Sequence, residues 1–194
     1  MRIKEGNKEK DILEAAIKVF AEKGYYKSKI SKIADVANVA TGSVYVYYEN
    51  KEDILLKIFE QLWGNIYQEA QRIKTTNLSP MEKLESLIDM AFDTFMENTS
   101  LAIVYINEQS NLIQYSPQKF TDNYEKFLDL CEDIIRDGIK KGVMTEDIDV
   151  QIFRNYFLGG FRNLLHHWAH DPQIFSLDKI RQNVKYLTRH GIQR

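Results

Sequence analysis

The stretch Ser28 to Lys51, SKISKIADVANVATGSVYVYYENK, constrains this chain more than any other. Ile30, Ile33, Ala34 and Ala37 recur at helical spacing and line one face of a short helix. Asn38 stands where the chain must turn sharply, and Asn is one of the few non-glycine residues that accepts positive φ. A second short helix is predicted from about Thr41 to Tyr48, with Val39, Val44 and Tyr48 turned back toward the first. Neither is long enough to be stable in isolation. The pair needs a helix on each side, and it reads as a helix-turn-helix whose second helix is free to enter a major groove.

The free face carries suitable chemistry. Thr41, Ser43 and Tyr45 are short or planar hydrogen-bonding groups, fit for base edges, thymine methyls or nearby phosphate. Tyr47 and Lys51 follow where the chain leaves the groove beside the sugar-phosphate backbone. Asn50 reads as an N-cap with Asp53 at N3, so the Lys51 charge and a helix dipole would act on one phosphate together. The plainer reading is an ordinary helical core with Lys51 as a solvated charge.

The flanks read as helices too. Ile12, Leu13, Ala16, Ile17 and Phe20 mark one from Asp11 to Lys23, stopped by Gly24. Residues 1–10 are basic, with Arg2, Lys4, Lys8 and Lys10; a frayed terminus and a DNA-reaching arm are both open readings. After Lys51 a longer helix runs to about Lys74 with Ile54, Leu55, Ile58, Leu62, Trp63 and Ile66 inside, and it has the form of a lever. Ser79-Pro80-Met81-Glu82 is a capping box that opens the next helix. A shorter piece spans Leu101 to Asn111, and Ser116-Pro117 starts a helix that Gly142 closes. Asp149 to His170 and Ser176 to about His190 complete the set, with Gly159-Gly160 in mid-helix leaving room for a neighbouring helix or a ligand. The fold class is all-α with about nine helices, divided as residues 1–55 and 56–194 within the lever helix.

Charge follows the same division. Residues 1–51 hold 10 Lys/Arg against 7 Asp/Glu, whereas residues 52–194 hold 16 against 21. The head attracts DNA and the remainder repels it. The longest apolar run, Leu101 to Ile106, is far too short for a membrane span. A single cysteine, Cys131, fits a reducing cytoplasm and reads as a buried structural thiol. His166 and His170 lie four apart, but His167 crowds them and no acid or thiol completes a metal set. Signature motifs of di-iron bundles, zincins, P-loops, dinucleotide folds and serine hydrolases are missing, so an enzyme and a resident cofactor are not expected.

Gly24, Ser28, Ile33-Ala34, Val39, Gly42, Tyr45, Tyr47-Tyr48 and Lys51 stand as in the DNA-binding half of TetR-type regulators, which this chain resembles. The family usually has Gly at Asn38 and a capping Ser at Ala40, so the recognition helix here is expected to begin at Thr41. The resemblance implies a DNA-contact set of Ser28, Lys29, Thr41, Gly42, Ser43, Tyr45, Tyr47 and Lys51, and a homodimer that binds an operator in double-stranded DNA. It implies dimerisation through the last two helices, with Phe153, Gly160, Leu164, Trp168, Ile180, Val184 and Leu187 at the interface. The TGSVYVYY and NKEDIL segments, Leu101 to Val104 and Asn107 to Asn111 look most like the acyl-CoA-responsive, FadR-type members. That implies a hydrophobic effector such as a long-chain acyl-CoA, with a different lipid or drug-like ligand, or no ligand, as alternatives. Of the many aromatics in the second half, Phe92, Phe95, Tyr105, Tyr124, Phe127, Phe157 and Phe161, with Gln109, are the candidate lining; Tyr115, Phe120 and Tyr156 share the pattern. Each is also compatible with plain core. Because residues 107–111 carry no arginine, Arg154, Arg162, Lys140 and Lys141 are the candidates for CoA phosphates.

Overall fold

A computed structural model describes residues 8–115, 117–171 and 176–193, with side chains described for all of these except Asn111, residues 113–115, residues 117–121 and His170. The expectations for Arg2, Lys4, Tyr115, the Ser116 cap, Phe120 and the His170 side chain therefore lie outside the described residues. Among those described, nine helices form and none is long and apolar enough to cross a membrane.

Helix α1 (Lys8–Lys23) begins a turn before the expected Asp11, with Glu9 and Asp11 in a first turn that favours negative charge. It ends at Gly24, whose φ of +74° suits a C′ position. Helix α2 (Ile30–Val36) is followed by Asn38 at φ +55°, the only positive-φ non-glycine among the described residues. Helix α3 (Thr41–Tyr47) starts at Thr41, and Ala40 provides no side-chain cap. Ile12, Ala16, Phe20, Ile33, Ala34, Val44 and Tyr48 close over one another as the core of this three-helix head.

Helix α4 (Lys51–Thr75) leaves the head directly, its first turn capped where Asp53 N–H donates to Asn50 Oδ1 at 3.0 Å. It buries Ile54, Ile58, Phe59, Leu62, Trp63 and Ile66, and its main packing partner is α7 (Pro117–Lys140). Helix α5 (Pro80–Met96) opens with both bonds of the Ser79–Glu82 capping box. Helix α6 (Thr99–Tyr115) is longer than the expected Leu101–Asn111 piece, starting where Leu101 N–H donates to Asn98 Oδ1 at 2.9 Å. It packs on α1 at one side and on α8 (Val150–His170) at the other, so it joins the head to the body.

Helix α9 (Leu177–Ile192) lies on α5, held by a ladder of opposite charges one turn apart. Arg189 donates through Nε and Nη2 to the two carboxylate oxygens of Glu85, at 2.7 and 2.8 Å. Lys185 reaches Asp89 at 2.6 Å, and Arg181 reaches Asp93. Ile180, on the same helix, is buried at 5% exposure. The sequence reading places it at a dimer interface, whereas here it packs into the core of its own chain.

Arg189 holds the Glu85 carboxyl below its usual range, chiefly through that bidentate hydrogen bond. A carboxyl depressed in the folded state stabilises it above the unfolded pKa, near 4.5, and loses that contribution as pH falls through the lower folded value. Glu85→Gln is therefore expected to lower the thermal midpoint at pH 7 and to flatten its decline below pH 4.5, read by circular dichroism. An unchanged acid profile in the variant would remove Glu85 as a contributor.

Candidate DNA-binding face and effector cavity

The head presents α3 outward. Thr41 and Gly42 are exposed, Ser43 is half-buried, and Tyr45 and Tyr47 are 55% and 43% exposed. Lys29, in the loop before α2, is also exposed. Val46 at 78% and Tyr26 at 72% share this exposure and were missed in the sequence. Period alone assigned Val46 no role, yet an apolar residue on this face can meet a thymine methyl.

Two of the expected contacts are turned inward. Ser28 is 4% exposed, and its hydroxyl donates to Gly24 O at 2.7 Å and lies 3.2 Å from Val19 O. It ties the end of α1 to the start of α2, so its side chain faces the core and not the groove. Lys51 Nζ donates to Tyr25 O at 2.6 Å, Ser28 O at 3.1 Å and Tyr26 O at 3.2 Å, and sits 4.3 Å from the Tyr25 ring centroid. All three ammonium protons thus have main-chain partners. Partial burial lowers the Lys51 pKa, opposed by the negative charge of Glu108 on α6. Lys51 is thus a clamp across the α1–α2 loop, its ammonium engaged by main-chain carbonyls.

The body encloses a cavity between α4, α5, α6, α7 and α8. It leaves about 70 Å³ for the centre of a water-sized sphere. Of the candidate lining residues, Phe95, Tyr105, Phe127, Phe157 and Phe161 border it. Phe92, Gln109 and Tyr124 do not. Phe92 is fully buried edge-on to Phe161, 5.0 Å between centroids, and Tyr124 packs behind Trp63 at 4.6 Å. Gln109 is 6% exposed, and its Oε1 has no hydrogen-bond partner. Tyr156 is on the opposite surface of α8, 79% exposed.

Residues of the cavity that the aromatic pattern could not single out include Trp63, Leu87, Ile88, Cys131, Glu132 and Arg154. Burial pushes the Cys131 thiol up to about 12, so it is an inert wall group. Arg154 and Glu132 pair across the wall at 2.8 Å. Of the other candidate phosphate groups, Arg162 is engaged: its Nη2 donates to Ile106 O at 2.6 Å, its Nε to the same carbonyl at 3.2 Å, and its Nη1 to Ser110. Lys141 pairs with Asp137 at 2.7 Å, and Lys140 is exposed.

On its outer surface α8 forms a groove with α9. Gly160, Leu164, Val184 and Leu187 line it, and Phe153 reaches both this groove and the cavity. Ile152, at 71% exposure, is a further apolar residue there. Trp168 packs partly against the core.

Residues 12–58 match the family model for bacterial regulatory proteins of the tetR family, and residues 59–191 match that for the YsiA-like protein C-terminal region. The chain belongs to the TetR family. It is 33% identical to the fatty acid metabolism regulator protein of Bacillus subtilis (strain 168) over 183 residues, 93% of each chain. Its fold superposes on the fatty acid degradation regulator FadR from Bacillus halodurans with a TM-score of 0.83, at 29% identity, covering 97% of this chain and 98% of that one. The FadR structure from Bacillus subtilis in complex with stearoyl-CoA matches equally well, with TM-score 0.83, 32% identity and 95% and 99% coverage. As a TetR-family protein this chain is a DNA-binding regulator, and α3 is the candidate for its recognition helix. The two family models meet at residues 58 and 59, inside α4.

Lys51→Ala leaves three carbonyls without their charged donor. It is expected to destabilise the head by about 1–3 kcal/mol and to weaken operator binding, while leaving the slope of affinity against salt unchanged; denaturant melts and binding titrations at several salt concentrations check both. A slope lower by about one would instead return Lys51 to phosphate. Thr41→Ala and Ser43→Ala are expected to change the preferred operator sequence by roughly 1–3 kcal/mol per lost base contact, measured by selection from a randomised duplex pool.

Proposed function

We propose that this chain is a homodimeric repressor that releases a palindromic operator when a long-chain acyl-CoA enters the cavity of its body. The observation that carries this is the apolar cavity itself, because two of its wall helices continue to the DNA-binding head. Trp63 and Ile66 come from α4, whose other end is Lys51, and Tyr105 comes from α6, which packs on α1. The likeness to a FadR crystallised with stearoyl-CoA supports the choice of ligand class.

The small cavity supplies a mechanism. An acyl chain longer than the space available enters only if the helices part, so occupancy and helix displacement are one event. Each buried methylene contributes roughly 0.8 kcal/mol, so two more carbons give about tenfold in affinity for as long as the helices yield. Ligand lowers operator affinity only by its preference for the displaced state. A shift from nearly all bound to nearly all released takes about 5.5 kcal/mol of preference, which a long chain can provide and a short one cannot.

Two-fold assembly sets the other requirement. The exposed Ile152, Tyr156 and Leu187, with Gly159 and Gly160 bare on the same helix, make α8 and α9 a surface on which a second copy can pack closely. In the DNA-bound dimer the two α3 helices would lie about 34–36 Å apart, one turn of duplex. Tilting α4 or α6 in either subunit spoils that spacing.

Anisotropy of a labelled duplex from the chain's own promoter is expected to fall as acyl-CoA is added, with potency rising as the acyl chain lengthens. Sedimentation is expected to give a dimer throughout. An operator complex indifferent to saturating acyl-CoA of every length would dispose of the effector; a monomer bound to DNA would dispose of the dimer.

A further inference from the structure

Two residues of α3 serve no purpose inside this chain, and they lie one turn apart on the same face. Gly42 lacks the positive φ that would call for glycine, and a methyl group there would meet no neighbouring element within 4 Å. Glycine is nevertheless a poor helix former, and a helix of seven residues has little to offset it. Val46 is the most exposed large apolar residue of the head among those described, at 78%. Residues four apart share a helix face, so Gly42 and Val46 form one strip with Ser43 beside it. Val44, the buried residue of α3, points the opposite way.

A bare turn followed by a small apolar knob fits a partner that must come close and that offers an isolated apolar spot. The β-branched Val46 side chain has one strongly preferred rotamer in a helix, so the knob is rigid. Its neighbours Thr41, Ser43, Tyr45 and Tyr47 are hydrogen-bonding groups, which suits a polar surface and not an apolar protein patch. Lys27, Lys29 and Lys32, before and along α2, are all exposed and make the surrounding surface attractive to a polyanion. In the major groove the one apolar group on a base edge is the C5 methyl of thymine.

We propose that Val46 reads the methyl group of one thymine in each operator half-site, and that Gly42 is bare so that α3 can approach closely enough for this contact. The inference rests on the operator binding of the proposed function and is independent of the effector and of release.

The test begins with the full-length protein selecting its tightest duplex from a randomised pool. Each thymine of that duplex is then replaced by deoxyuridine, which removes the methyl and nothing else, and binding is followed by anisotropy. At one thymine per half-site wild type is expected to lose about fourfold in affinity, the worth of one buried methyl. Val46→Ala is expected to bind the thymine duplex more weakly by a similar factor and to treat thymine and deoxyuridine alike at that position. Gly42→Ala is expected to keep or raise the thermal midpoint of the protein while weakening operator binding about tenfold, as for one lost base contact. Wild type indifferent to every thymine methyl overturns the proposal without any variant, and so does a methyl effect that Val46→Ala leaves undiminished. A Gly42→Ala protein that binds as tightly as wild type overturns the close approach. A pool that yields no preferred sequence overturns the proposal together with operator recognition itself, which sets that failure apart from the loss of a role for Val46 alone.

Discussion

Helix α4 is the member on which the rest depends. At 25 residues it is about 37 Å long, and its two ends do different work. The first turns supply Ile54, Leu55 and Ile58 to the head and place the Lys51 ammonium under three carbonyls of the α1–α2 loop. The later turns carry Trp63, which packs on Tyr124, Phe127 and Tyr105 and forms part of the cavity wall. Helices as short as α2 and α3 hold their shape only against such a partner. Whatever moves Trp63 therefore acts on the support of α2 and α3.

A second connection runs through α6. One side of this helix lies on α1, and Arg162 from α8 donates to Ile106 O and Ser110 on it. Glu108, buried at 6%, acts electrostatically on Lys51 and Tyr25 in the head, while Tyr105 three residues earlier lines the cavity. One helix thus touches the cavity, the α8 surface and the head. Rigid helices with more than one packed arrangement are the usual carriers of such coupling.

Sequence and structure agree best where a residue acts through its own backbone neighbourhood. Gly24, Asn38, the uncapped start at Thr41, the Asn50 cap and the Ser79–Glu82 box are each fixed by the local steric or hydrogen-bonding needs of a few residues. The aromatics of the body behave otherwise. Phe92 and Phe95 are three residues apart on one helix, both fully buried, yet only Phe95 meets the cavity. Period tells which face is inward; it is silent on whether the inward face meets a neighbour or a void. Polar groups were the least legible, since Ser28, Lys51 and Arg162 all read as free donors until the carbonyls that use them came into reach.

What the amino-acid sequence determined by itself was the order and punctuation of the helices, the charge asymmetry between head and body, and the spaced pattern that marks the family, because all of these depend on residues near one another in the chain. Only the tertiary structure decided that Ile180 turns inward, that Lys51 is a clamp, and that Glu132 faces Arg154 across an otherwise apolar wall. Glu132 and Arg154 lie on α7 and α8, and Lys51 and Tyr25 on opposite sides of the recognition unit. No periodicity couples such positions; they meet because packed helices leave buried charges and carbonyls few partners to choose from.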